Sequence, residues 1–425
     1  MVKMLQYCFL IVSTIILGCT FSSSSNDSAD SVRNSSEKLQ DTMSYDINDT
    51  QNIQSKSDSL GPNSSDSSKS IVRKTSSNRD VRKVSGAPQY SLKDAYRNYF
   101  PIGAAVLPNQ INNSKIANLI TTQFSSITAA NDMKPTYLQP KEGVFNFNVG
   151  DKIVSFATKN NMKVRGHTLV WPRKMPKWFY YSQGKAVGKD LLLKRIETHV
   201  NTVVQHYKGK TYCWDVVNEA IPFFGPNPLD SNKDSLYIIA GEEYFDKAFY
   251  VARKADPNAK LFYNDNGFEW KKKRDRIFEY LKKAKARGVP IDGVGMQGHW
   301  GIDGISEAYL RETIKMFSSI GLEVQITELD ISIYPIRSSG KVMKAADLKS
   351  TSDAYTEQIQ TKQAQIYSMI FRVCREMKGQ VTGITLWSPY DWANYLTKRM
   401  GKKNYPYLFD ENLQPKKSFH DVVNF

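Results

Sequence analysis

Two glutamates in the 425-residue chain stand where they could do chemistry together: Glu219, inside Trp214-Asp215-Val216-Val217-Asn218-Glu219-Ala220, and Glu328, inside Val324-Gln325-Ile326-Thr327-Glu328-Leu329-Asp330. Each follows a β-rich run, so each carboxyl would close a strand. Two carboxyl groups facing each other can cleave a glycosidic bond. One protonates the leaving oxygen while the other attacks, or assists a water, at the anomeric carbon. A gap of about 5–5.5 Å would give retention through a covalent intermediate and a wider gap inversion, and the spacing in sequence leaves both open. Other polar residues also end β-rich runs: Asn131-Asp132-Met133-Lys134, His167, Asn218, Asn264-Asp265, Gln297 with His299, Asp330, and Trp387. One such residue is ordinarily a cap or a solvated turn. Seven in phase with a repeat point to a shared face.

The elements that must position them recur along the chain. Eight β-rich runs, at 101–106, 126–130, 163–169, 212–217, 260–264, 293–297, 323–328 and 383–387, alternate with amphipathic stretches. Ile277, Tyr280, Leu281 and Ala284 fall at i, i+3, i+4 and i+7, and Gly288-Val289-Pro290 stops that helix. Ala364, Tyr367, Met369-Ile370 and Val373 mark a long penultimate helix. Eight strand–helix units predict an α/β fold, a (β/α)8 TIM barrel with one catalytic domain, whose strand ends converge on one mouth. Glu219 and Glu328, three units apart, would face each other across it. A doubly wound open sheet is the competitor, but no Gly-rich dinucleotide fingerprint follows the first strand.

Six ordered motifs then carry a resemblance: NDMKP at Asn131, RGHTLVW at Arg165, WDVVNEA at Trp214, GMQGHW at Gly295, ITELD at Ile326 and YLFDENLQPK at Tyr407. Over most of 90–425 the chain resembles glycoside hydrolase family 10, whose typical member is an endo-1,4-β-xylanase. The resemblance implies a retaining mechanism with Glu219 as acid/base and Glu328 as nucleophile. It implies that His299, with Asp330 behind it, holds the nucleophile charged, and that Asn218 contacts the sugar 2-hydroxyl. Asn131, Lys134, His167 and Gln297 match positions that bind sugars at the non-reducing side, and Trp171 and Trp387 match aromatic walls for sugar faces. A polysaccharide partner is implied, and no cofactor or metal. An acid must stay protonated through burial or a nearby negative charge while a nucleophile stays ionised, which is consistent with the two roles.

The chain departs from the family pattern in the cleft. Ala130 stands where a glutamate usually precedes the Asn-Asp-Met-Lys segment. Pro172-Arg173-Lys174 replaces the usual His and Gln, and Tyr395 replaces a second tryptophan, with Trp392 nearby. Lys174 and Tyr395 remain candidate substrate contacts, and Arg173 with Lys174 suggests an acidic glycan, against drift in a loop. Substrate alternatives are another β-glycan, exo-action, or a glycan-binding protein without catalysis, which would have no need for both glutamates.

Composition bounds the rest. Aromatics at 12% with seven Trp exclude a wholly disordered chain, and four Cys without a CxxC pair exclude a disulfide framework or zinc cluster. The net charge is +16, and residues 1–86 carry ten Lys+Arg against nine Asp+Glu, so the basicity belongs to the remainder. No nucleic-acid motif accompanies it, and Lys271-Lys272-Lys273-Arg274 reads as a solvated helix face. Lys3 and the apolar run from Tyr7 to Leu17 form an export signal too short to span a bilayer. Ile16-Leu17-Gly18-Cys19 resembles a bacterial lipobox, with Cys19 the lipidated residue; an ordinary cleaved signal is the alternative. Residues 1–19 are thus a signal, 20–86 a linker with 20 Ser between Ser22 and Gly86, and 87–425 the barrel. A monomer at the cell surface, tethered by lipid or else secreted, is expected. Trp214 and Trp178 read as packing residues, His199 and His206 as facing solvent or a helix end, and Cys213 and Cys374 as buried free thiols.

Overall fold

The computed structural model describes residues 91–425 except 231–235, 336, 339–340, 343–351 and 393–394. The export signal with Cys19 and the serine-rich linker lie outside the described residues. Eight strands form the central sheet: β1 (Ile102–Val106), β2 (Ser126–Ala129), β3 (Lys163–Val170), β4 (Cys213–Asn218), β5 (Lys260–Asp265), β6 (Gly293–Met296), β7 (Glu323–Ser332) and β8 (Val381–Leu386). Each pairs in parallel with the next, and β8 pairs with both β7 and β1, closing the barrel. Strands β1, β2, β4 and β6 are buried at every position, as expected of a parallel sheet covered on both faces.

Among the described residues, these helices pack around the sheet, with several shorter ones beside them: α1 (Ser114–Gln123), α2 (Asn148–Lys159), α3 (Lys189–His206), α4 (Glu243–Ala255), α5 (Lys271–Ala286), α6 (Glu307–Ser318), α7 (Glu357–Glu376) and α8 (Lys417–Val423). Side chains cap several N-termini: Asn113 accepts from Lys115 and Ile116 on α1, Ser306 from Tyr309 on α6, and Thr356 from Ile359 on α7. The stripe Ile277, Tyr280, Leu281 and Ala284 faces the sheet as its spacing requires.

The barrel interior is polar toward its base. Arg165 on β3 forms an ion pair with Asp215 on β4 and donates to Gln325 Oε1 on β7 at 2.7 Å, all three buried. Gly166 leaves room for the fully buried Trp214 indole; a Cβ there would lie 2.2 Å from a ring carbon.

Four expectations are corrected. β7 runs to Ser332, four residues past Glu328, because a short strand at His299–Gly301 pairs with its far end. The helix ending at Glu376 is followed by two shorter ones, Tyr395–Met400 and α8. His199 is fully buried, its Nδ1 2.8 Å from Gln139 Oε1, and burial lowers it to about 4. In the basic run only part is solvated: Lys273 and Arg274 are buried on α5. Trp214 is core, Trp178 is partly buried and donates to the Gln139 carbonyl at 3.1 Å, and Cys213 and Cys374 are buried free thiols.

Candidate active site

The strands deliver the polar residues to one mouth through a ladder of main-chain bonds. Glu219 N–H donates to the Asn264 carbonyl at 2.9 Å and Gln297 N–H to the Asp265 carbonyl at 3.0 Å. Glu328 N–H donates to the Gln297 carbonyl at 2.8 Å, and Trp387 N–H to the Leu329 carbonyl at 3.1 Å. Each residue just past a strand, or within the long β7, is therefore hung on its neighbour. Glu219 adopts a left-handed φ of +51°, which turns the chain out of β4 immediately after Asn218.

The two carboxyl groups have unlike surroundings. Glu328 Oε1 accepts from Asn264 Nδ2 at 2.9 Å, and Glu328 Oε2 lies 3.1 Å from His299 Nε2. His299 Nδ1 in turn lies 2.8 Å from Asp330 Oδ2 and 2.8 Å from the Tyr395 hydroxyl. Asn264 is itself fixed, donating to Asn218 Oδ1 at 2.9 Å and accepting from the Thr327 hydroxyl at 2.6 Å. Glu219 has far less support. Gln297 Nε2 donates to its Oε1 at 2.8 Å, while its buried Oε2 has no partner among the described residues. Asn218 Nδ2 and Gln297 Oε1 are likewise buried without a partner there. These bare polar atoms are what a sugar's hydroxyls and glycosidic oxygen would satisfy.

The electrostatics follow the contacts. Burial raises the Glu219 carboxyl, with Asp265 and Glu328 adding to it against Arg173 and the Gln297 bond. Burial works the same way on Glu328, but the His299 hydrogen bond, the electrostatic influence of His167 and His299, and the Asn264 bond bring it below its ordinary value. Burial disfavours charge on His299, yet Asp330 and Glu328 outweigh it and push the imidazole up to about 10. At neutral pH one glutamate is thus biased toward the acid and the other toward the carboxylate.

With this geometry in view, the Glycosyl hydrolase family 10 pattern matches residues 91–425. The chain belongs to glycosyl hydrolase family 10. It is 44% identical over 339 residues to a β-1,4-xylanase of Dictyoglomus thermophilum, covering 79% of this chain and 91% of that protein. It is 39% identical over 338 residues to an endo-1,4-β-xylanase of Geobacillus stearothermophilus, covering 79% and 98%. The crystal structure of an endo-1,4-β-xylanase from Caldicellulosiruptor owensensis superposes with a TM-score of 0.73 at 36% identity, over 79% of this chain and all of that one.

The other sequence-derived residues of this family 10 barrel divide into two groups. His167 Nδ1 lies 2.9 Å from Asp215 Oδ2, and its ring stands edge-on to Trp387 at 5.5 Å. Lys134 donates to Asn131 Oδ1 at 2.8 Å and lies over the Trp171 ring at 5.1 Å. Trp171 is buried, Trp387 half-buried, and its ring is 6.3 Å from that of His299. Through His299 these residues connect in one chain of contacts to Glu328. The departures behave differently. Tyr395 directs its hydroxyl to His299, so it joins the group that holds Glu328. Arg173 is not the open cation the sequence suggests: its Nε lies 3.3 Å from the buried Asp230 carboxylate. Lys174 is half-buried in a turn, its N–H bonded to the Trp171 carbonyl at 2.8 Å.

Three residues escaped the sequence reading. Asn264 was visible only as a strand end, with nothing to mark it as the bridge between Asn218 and Glu328. Asp215 and Arg165 sit inside motifs quoted for the resemblance, but their pairing needs the closed barrel.

Proposed function

We propose that the protein is a retaining endo-1,4-β-xylanase that cleaves internal bonds of xylan, with Glu219 as acid/base and Glu328 as nucleophile. The observation that carries the assignment of roles is the asymmetry of support: Glu328 accepts from Asn264 and His299, while Glu219 keeps one oxygen bare. A carboxylate held by a cation and an amide stays ionised and aimed, as a nucleophile must. A buried carboxyl with one neutral donor keeps its proton until the glycosidic oxygen takes it. In the first step Glu219 protonates that oxygen as the C1–O bond breaks, and Glu328 bonds to C1. In the second, Glu219 removes a proton from water, which displaces Glu328 and restores the starting configuration. Asn218, Gln297, Asn131, Lys134, His167, Trp171 and Trp387 bind the sugars flanking the bond, and Lys174 lines the loop beside them. Relatives named as xylanases support xylan as the substrate class.

The test is product analysis on neutral xylan, glucuronoxylan, mixed-linkage β-glucan and aryl glycosides, with Glu219→Ala and Glu328→Ala alongside. Oligosaccharides from xylan and loss of turnover in both variants are expected; activity confined to another glycan, or full activity in either variant, overturns the reading. The proposal includes export and tethering through a lipid on Cys19, with 20–86 as the spacer. Fatty-acid labelling of the wild type and its loss in Cys19→Ala would bear this out, and an unlabelled wild-type protein would refute it.

A further inference from the structure

Beneath the turn that carries Glu219 lies a buried polar cluster that the mechanism above does not use. Tyr263 and Asp265, two apart on β5, present their side chains on the same face, and Lys273 enters from the first turn of α5. All three are buried. The Tyr263 oxygen accepts from two successive backbone groups, Ala220 N–H at 3.2 Å and Ile221 N–H at 3.0 Å, and its hydroxyl donates to Asp265 Oδ2. Lys273 Nζ lies 3.1 Å from the same Asp265 oxygen and also donates to the Ile221 carbonyl. Asp265 Oδ1 accepts from Asn266 N–H at 2.8 Å, and the Ala220 carbonyl accepts from Asp230 N–H at 2.7 Å. Every main-chain polar group of the two residues after Glu219 is therefore held, three of the four by Tyr263 and Lys273.

We propose that Tyr263, Asp265 and Lys273 act together as positioning residues for the acid/base, locking the left-handed turn at Glu219 so that its carboxyl reaches the glycosidic oxygen. This rests on the acid/base role of Glu219 given above. A left-handed φ of +51° at a glutamate persists only where surroundings over-determine it. The clamp supplies that determination. A buried ion pair contributes little to stability compared with apolar packing, so its use here is geometric. Glu328, on β7, hangs from Gln297, Asn264 and His299 and touches none of the three, so loosening the clamp disturbs protonation of the leaving group while sparing the nucleophile.

The test uses the full chain and two aryl xylobiosides, one with phenol as leaving group, which needs the acid, and one with 2,4-dinitrophenol, which does not. For Tyr263→Phe and Lys273→Gln, kcat/KM on the phenyl substrate falls roughly 10–100-fold while the dinitrophenyl value stays within about twofold. The ratio of the two values from one preparation does not depend on the folded fraction, so partial misfolding cannot mimic the result. Equal losses on both substrates, or no loss on either, overturn the proposal. Glu219→Ala is run beside them and gives a larger selective loss, with azide restoring turnover of the dinitrophenyl substrate. If Glu219→Ala lacks selectivity, the acid/base assignment has failed; if it is selective and Tyr263→Phe is not, the clamp alone has failed.

Discussion

Replacing His299 with glutamine removes the cation that keeps Glu328 ionised, and the size of the effect follows from the contacts. His299 Nε2 is 3.1 Å from Glu328 Oε2, and Asp330 holds the ring protonated, so the bond is charge-assisted. Such a bond contributes roughly 1.5–3 kcal/mol. Losing the charge therefore raises the Glu328 carboxyl. The Asn264 bond at 2.9 Å survives and limits the rise. The sign is unambiguous: a cation beside a carboxylate favours the ionised form, and removing it favours the proton. The acid limb of kcat/KM therefore moves to higher pH, and the alkaline limb, which Glu219 sets in the proposed mechanism, moves much less. A dinitrophenyl xylobioside is the substrate of choice, since its departure needs no acid and the acid limb then reports the nucleophile. Asp330→Asn should give a smaller shift in the same direction, because His299 loses the charge that raises it. An acid limb that stays in place or moves to lower pH in His299→Gln would refute the reasoning.

Other perturbations reach different parts of the molecule. Arg173→Gln removes a charge-assisted partner of the buried Asp230 carboxylate and should destabilise the fold by roughly 1.5–3 kcal/mol, read by thermal unfolding. Because that charge is already neutralised, the variant should keep the wild-type salt response on glucuronoxylan relative to neutral xylan; a selective loss on the acidic polymer would contradict the pairing. Gly166→Ala forces a methyl against the Trp214 ring and should cost about 1–3 kcal/mol, visible as a lower Tm. Burial pushes the Cys213 thiol up to about 11 and Cys374 up to about 12, so neither should react with a thiol reagent at pH 8 until the chain is unfolded. Rapid labelling of the native protein would show that the barrel opens far more easily than its packing implies.

The barrel was legible because parallel strands are apolar on both faces and their polar ends recur in phase. Locating Glu219 and Glu328 needed only that phase. The polar Glu328 masks the true end of β7 in the sequence, although Leu329 and Ile331 continue the apolar run. His199 could have been placed correctly: Leu192, Ile196, His199 and Val203 share the buried stripe of α3. Lys273 likewise falls four residues before Ile277 on the inner face of α5. Both were misjudged because polar residue type was given more weight than helical position. The Arg173–Asp230 and Tyr263–Ile221 contacts lie beyond a sequence reading, since each joins residues of neighbouring strand–helix units that meet only in the folded barrel.

The ladder of main-chain bonds at the mouth has a consequence for how such an enzyme can change. Glu219, Gln297 and Glu328 hang from backbone carbonyls of adjacent strands, so the barrel's girth sets the spacing of their main chains. Ala130 and Lys174 can vary around that ring without breaking those bonds, whereas Tyr395 and Arg173 are tied to His299 and Asp230 and are less free to change. Polymer preference and bond-breaking are thereby separable inheritances: exchange of loop side chains retunes the sugars accepted while the strand ends keep the two carboxyl groups opposed.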